Sequence, residues 1–213
     1  MFKLRLITEG KTDRTLLESL LDHKTRGIDI PRLAPKDDPD AGGYEWLVKV
    51  GNLDAFLATD SERFGIIVDA DLNASDKWRS LRDRLISYGF DESQLPASIG
   101  ADGLAMTFQA KRPLGVWIMP DNLSQGNVED FFTKLIKPGD QLLDQAKKCV
   151  GGLPGQLLPD TGRSKAVYRT WLAWQKGGDG MSPQTAFHAN RYDAAKAEAF
   201  LAWIDRLLRT PAE

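Results

Sequence analysis

The chain has 213 residues, 42% hydrophobic and 27% charged, with a formal net charge of −2. That length suits one domain, or one with a modest extension, and the charge balance excludes a partner held by net basic charge alone, such as nucleic acid or an acidic membrane. One cysteine, Cys149, excludes an internal disulfide; no run reaches the ~20 apolar residues of a membrane helix, and MFKLRLITEG is too short in apolar residues for a signal peptide, so a cytoplasmic location is expected.

Residues 2–8, FKLRLIT, alternate apolar and polar side chains at Phe2, Leu4 and Leu6, the period of a strand. Leu16, Leu17, Leu20 and Leu21 recur at helical spacing and predict a helix from Lys11 to about Lys24. Residues 31–43 are rich in proline, aspartate and glycine and read as a loop. YEWLVKV, 44–50, predicts a second strand, and NLDAFLATDSE a short helix. FGIIVDAD, 64–71, is the most hydrophobic strand and ends in Asp69 and Asp71; Trp78, Leu81 and Leu85 mark the helix after it. LGVWIMPDN, 114–122, is a further strand running into an acidic loop, and Val128, Phe131, Phe132, Leu135 and Ile136 mark an amphipathic helix. Helices are expected over 140–150 and 163–176, a loop over 151–162, and a last helix carrying Phe200, Trp203, Ile204, Leu207 and Leu208. Alternating strands and helices in the first half predict an α/β fold, a mostly parallel sheet flanked by helices. The α/β core is expected over 1–137 and a helical C-terminal extension, packed on it, over 138–213.

In such sheets functional groups gather at the carboxyl ends of the strands, and three predicted strand ends carry acids. Glu9 follows the first, beside Gly10, which permits a tight turn. Asp69 and Asp71 follow the second; if strand character persists, they share a side. Desolvating two like charges costs several kcal/mol per ion unless compensated, and a hard cation such as Mg²⁺, which takes carboxylate oxygens, supplies that compensation. The third end is Pro120-Asp121-Asn122, with Glu129-Asp130 beyond it; Asp121 and Glu129 are further candidates for an ion. The competing reading is local: Asp69, Asp71 and Asn73 as turn and capping residues, Thr12 or Asp13 as a helix cap, and Glu129 and Asp130 as first-turn acids favoured by the helix dipole. Lys11, Arg14, Lys77 and Arg79 lie close to these acids in sequence and are candidates to hold phosphate. Arg163, Lys165, Arg169 and Lys176, interleaved with Tyr168, Trp171 and Trp174, suit single-stranded nucleic acid, or equally a helix with an aromatic core face and a solvated basic face. Gly151-Gly152-Leu153-Pro154-Gly155 lacks the Lys-Ser/Thr of a phosphate loop and reads as a loop only.

ITEGKTDRTLLESLL followed by FGIIVDADLNAS resembles the signature of the Toprim domain, found in topoisomerases, bacterial primases, recombination-repair proteins and nucleases of the overcoming-lysogenisation-defect class. Its Glu-Gly and Asp-x-Asp correspond to Glu9-Gly10 and Asp69-x-Asp71. GVWIMPDNLSQGNVEDFF and the Trp-containing segment after Asp71 extend the likeness, over most of the chain, to a small uncharacterised family of stand-alone Toprim-like proteins. The resemblance implies a Rossmann-like Toprim fold and Mg²⁺ (or Mn²⁺) held by Glu9, Asp69 and Asp71, with Asp121 added as a candidate ligand. It also implies action on nucleic-acid phosphodiesters, as a nuclease or nicking subunit, with Glu9 as metal ligand or general base and Lys11, Arg14 and Lys77 available to phosphate. The chain departs from relatives of that class: Cys149, His23 and His188 cannot make the zinc site of a primase, and no GxxxxGK[ST] is present, so ATP dependence would come from a separate ATPase subunit. Two alternatives stand beside this reading: a non-catalytic, Toprim-like binding or regulatory subunit of such an ATPase, and an enzyme using the same acids on a small phosphorylated substrate.

Overall fold

The computed structural model describes residues 2–21, 26–31, 42–49, 51–108, 112–153, 158–159, 162–175 and 180–211. Residues 32–41 of the loop predicted over 31–43, half of that predicted over 151–162, and His23, Lys24 and Lys176 lie outside them. The sheet contains β1 (Leu4–Thr8), β2 (Ile28–Asp29), β3 (Phe64–Asp69), β4 (Leu104–Met106) and β5 (Leu114–Met119), in the order β2-β1-β3-β5-β4. β2, β1, β3 and β5 are mutually parallel and β4 is antiparallel to β5. This is a Rossmann-like α/β arrangement, as the alternation of elements predicts.

Near-continuous apolar runs in β3 and β5 follow from burial on both faces. On one face, Leu4, Leu6, Ile67, Trp117 and Met119 pack against α1 (Lys11–Leu21), α5 (Val128–Leu135), α6 (Gln141–Gly151), α7 (Arg163–Ala173), α8 (Pro183–His188) and α9 (Glu198–Arg209). On the other, Ile7, Ile66, Val68, Val116 and Ile118 meet α2 (Gly43–Leu47), α3 (Asn52–Leu57) and α4 (Ala74–Ser87). Alternate residues of one strand serve opposite layers, the period of two read from sequence. Gly65 and Gly115 let α9 lie close to the sheet: a Cβ would stand 3.3 Å from Leu207 Cδ2 at Gly65, where it would also meet Leu6 Cδ2 at 2.4 Å, and 2.6 Å from Leu207 Cδ2 at Gly115.

Where a strand is expected over 44–50, the structure has a helix, α2, over Gly43–Leu47. Gly42 and Gly43 take positive φ, and the Gly43 N–H donates to the Glu9 carbonyl at 2.9 Å, which fixes the chain as it enters the turn. Both edges of β1 are already paired, to β2 and β3, so a strand here has no slot beside it. The short β2 and β4 carry too few residues to show a period.

From β1 the chain crosses through α1 to β2 on one side, then returns to β3 on the other. Helices after these two strands lie on opposite faces, so the carboxyl ends of β1 and β3 open at a topological switch point. Glu9 and Asp69 stand there.

Candidate functional site

Glu9 and Asp69 sit at the ends of paired parallel strands, and the Asp69 backbone N–H donates to Glu9 Oε1 at 2.9 Å. Asp69 Oδ1 in turn accepts from the Val128 N–H, at the start of α5, at 2.9 Å. Asp13, in the first turn of α1, accepts from the Gly10 N–H at 2.9 Å and so closes the Glu9-Gly10 turn. Glu129, in the first turn of α5, is 1% exposed. Its Oε1 makes no hydrogen bond, and the nearest cation, Lys165 Nζ from α7, is 3.6 Å away, too far for one.

These four carboxyls press on each other. Burial pushes Asp69 up to about 9, with repulsion from Asp13, Glu9 and Glu129 adding to it and the Val128 N–H opposing it. Burial pushes Glu9 up to about 7; Lys77 and the Asp69 N–H oppose the rise, while Asp13 and Asp71 add to it. Asp13 and Glu129 are raised as well, chiefly by burial, with Lys165 countering in both. Lys77, on α4, is the cation on the other side: 2.8 Å from Asp71 Oδ2, 3.9 Å from Glu9 Oε1, and 4.2 Å from the centre of the Tyr44 ring. Two lysines from opposite layers of the fold therefore bracket one buried acidic corner.

The all-oxygen donor set is that of a hard divalent cation. Glu9, Asp69, Asp13 and Glu129 could hold one, and the unbonded buried oxygen of Glu129 is the feature that fits it. Among the described residues no group of three or more Asp, Glu, His or Cys side chains is arranged to hold a metal ion as it stands, so an ion would have to draw these carboxyls together. Local contacts fix the helix starts that carry Asp13 and Glu129, the Gly10 turn for one and the Asn127–Asp130 capping box for the other, and the docking of α1 and α5 brings both to Asp69. The Glu-Gly-x-x-Asp spacing was the one sequence signal for the first.

Other expected residues fall elsewhere. β3 ends at Asp69, and Asp71 has φ 52 in the loop beyond, so strand alternation does not carry it to the side of Asp69. Asp71 pairs with Lys77, and its backbone exchanges two 2.9 Å hydrogen bonds with Gly126. Asn73 caps α4, accepting from the Ser75 and Asp76 N–H groups. Asp121 folds back on its own loop, accepting from the N–H groups of Leu123 and Ser124 and from Lys134 Nζ at 2.8 Å. Burial pushes its carboxyl up, but Lys134 and those amides outweigh this and hold it below the usual range. Arg14 is engaged with Glu18 at 2.8 Å, Arg79 with Asp76, and Lys11 is an exposed residue at the start of α1. Tyr168 and Trp171 are buried core, while Lys165 and Arg169 act on Glu129. Beside the corner, the loops after β3 and β5 and the start of α7 enclose an open cleft of about 270 Å³.

Fold and site together define an α/β protein with a buried acidic corner at its sheet's switch point. A family model described as a protein of unknown function (DUF3226) matches residues 3–209, and the chain belongs to that family. No curated protein and no solved structure matches it. Among the described residues no helix is long and apolar enough to cross a membrane.

Proposed function

We propose that this is a metal-dependent protein of Toprim type that processes nucleic-acid phosphodiesters, as a nuclease or nicking subunit. The observation that carries the reading is the convergence of Glu9 and Asp69 at adjacent strand ends, with Asp13 close enough to raise the pKa of both and Glu129 that of Asp69. Glu9 and Asp69 would hold Mg²⁺ or Mn²⁺, with Asp13 and Glu129 adjoining. When bound, the ion supplies Lewis-acid activation of a phosphoryl oxygen and of water. Before an ion binds, burial raises the Glu9 carboxyl to about 7, so near neutral pH it gives up a proton as it takes the ion. Lys77 and Lys165 lie where they can meet phosphate charge.

Calorimetric titration of the protein with Mn²⁺, beside Asp69→Ala, tests this. Saturable binding weakened at least ~100-fold in the variant is expected, followed by metal-dependent cleavage of a nucleic acid that the variant lacks. Absence of binding at millimolar Mn²⁺ overturns the reading. It would favour the second one, a non-catalytic Toprim-like binding or regulatory subunit of an ATPase, which the existing Lys77–Asp71 pair and the Val128–Asp69 hydrogen bond support by partly satisfying the corner without an ion.

A further inference from the structure

We propose that the cleft beside the acidic corner seats one unpaired nucleoside of a nucleic-acid strand, which makes single strands and frayed ends the substrate class. This rests on the phosphodiester reading above and adds to it the state of the strand. At about 270 Å³ the cleft falls below the ~300–1,000 Å³ of pockets that enclose a drug-sized ligand, and suits one base with its sugar edge.

The lining has the chemistry of a nucleoside, with one cation, Arg163, at hand for the phosphate it carries. Leu72 and Val167 provide apolar surface, and Leu72 is 70% exposed on its loop, an unpaid apolar face with polar neighbours. Around it stand the carboxylates of Asp71 and Asp130 and the amide of Gln125, while Asn127 Oδ1 already accepts from the Asp130 N–H. Carboxylates repel a phosphate but accept hydrogen bonds from base amino groups and sugar hydroxyls. The α5 capping box holds Asn127 and Asp130 in place, and Asn127 Nδ2 bonds Ser164 Oγ at 2.9 Å across to α7, so this wall is built before any ligand arrives.

The cleft adjoins the corner through two of its lining residues. Asp71 lines the cleft and also holds Lys77, which reaches toward Glu9. Asn127 lines it too, and the next residue, Val128, bonds Asp69. A nucleoside in the cleft therefore brings its own phosphate toward Glu9 and Asp69. A base in a duplex can enter only by leaving its partner and its stack, at a few kcal/mol.

The test is fluorescence anisotropy in Mn²⁺ with a short labelled oligonucleotide, single-stranded and as its paired duplex, on wild type, Leu72→Ser and Leu72→Trp. The position is exposed, so either variant is compatible with the fold, which circular dichroism checks. The single strand is expected to bind about tenfold or more tighter than the duplex. Leu72→Ser should weaken single-strand binding about three- to tenfold, and Leu72→Trp should strengthen it several-fold by adding a stacking face. Equal binding of strand and duplex, or no response to either variant, overturns the cleft assignment. If binding is then still lost in Asp69→Ala, the phosphodiester reading survives it; if wild type binds neither polymer, both fall.

Discussion

Two strand ends in this protein carry aspartates, and they behave in opposite ways. After β5, Asp121 is partly exposed, folded onto its own loop and paired with Lys134, and its carboxyl is held below the usual range. After β3, Asp69 is enclosed by three other carboxyls and pushed up to about 9. The difference lies in topology rather than residue type. β5 is followed by a turn that satisfies Asp121 locally, whereas β1 and β3 are neighbours at the switch point and bring acids from separate elements together. An acid at a strand end becomes a functional candidate when its neighbours leave its charge uncompensated.

Substitutions can break or sharpen this contrast. The largest expected effect after Asp69→Ala is that of Glu129→Ala, which removes the buried, unbonded oxygen. It should weaken Mn²⁺ binding about 10–100-fold by calorimetry, and unchanged affinity would exclude Glu129 from the ion's surroundings. Next comes stability against pH without metal. Glu9 and Asp69 hold their protons more tightly folded than unfolded, where carboxyls titrate at about 4. Their contribution is therefore fully present below about pH 4 and is lost as pH rises through about 7 for Glu9 and about 9 for Asp69. Asp69→Asn keeps an acceptor for the Val128 N–H and removes the charge. Metal-free, it should melt higher than wild type at pH 9 by about 3–6 °C, on the order of 1–2 kcal/mol, and match it more closely at pH 5. A variant less stable than wild type at pH 9 would show that the corner is not under charge strain. The smallest effect is at the other strand end: Asp121→Ala should cost about 0.5–1 kcal/mol in thermal unfolding, from the lost turn bonds, with Mn²⁺ affinity unaltered. A loss of metal affinity there would erase the distinction between the two ends.

Much of the frame is legible in the chain. The apolar runs of β1, β3 and β5 and the stripes of α1, α4, α5 and α9 carry their periods openly, because each buries a full face of several residues. Glu9 and Asp69 are legible as acids at strand ends. Residues 44–47 are not: Tyr44, Trp46 and Val48 alternate as in a strand, yet the segment is helical. Its backbone is anchored to Glu9, and β1 has no free edge to offer it.

Local sequence thus settled which segments are apolar strands and helices and which residue types stand at their ends, since burial period and turn chemistry act over a few neighbouring residues. Tertiary structure alone decided which acids meet. Asp13, Asp69 and Glu129 come from α1, β3 and α5, and only the pairing of β1 with β3 and the docking of α5 against that edge put them in one desolvated corner. Asp71 and Asp121, as acidic in sequence, were left to Lys77 and Lys134, because a left-handed residue and a tight turn directed them to partners nearby.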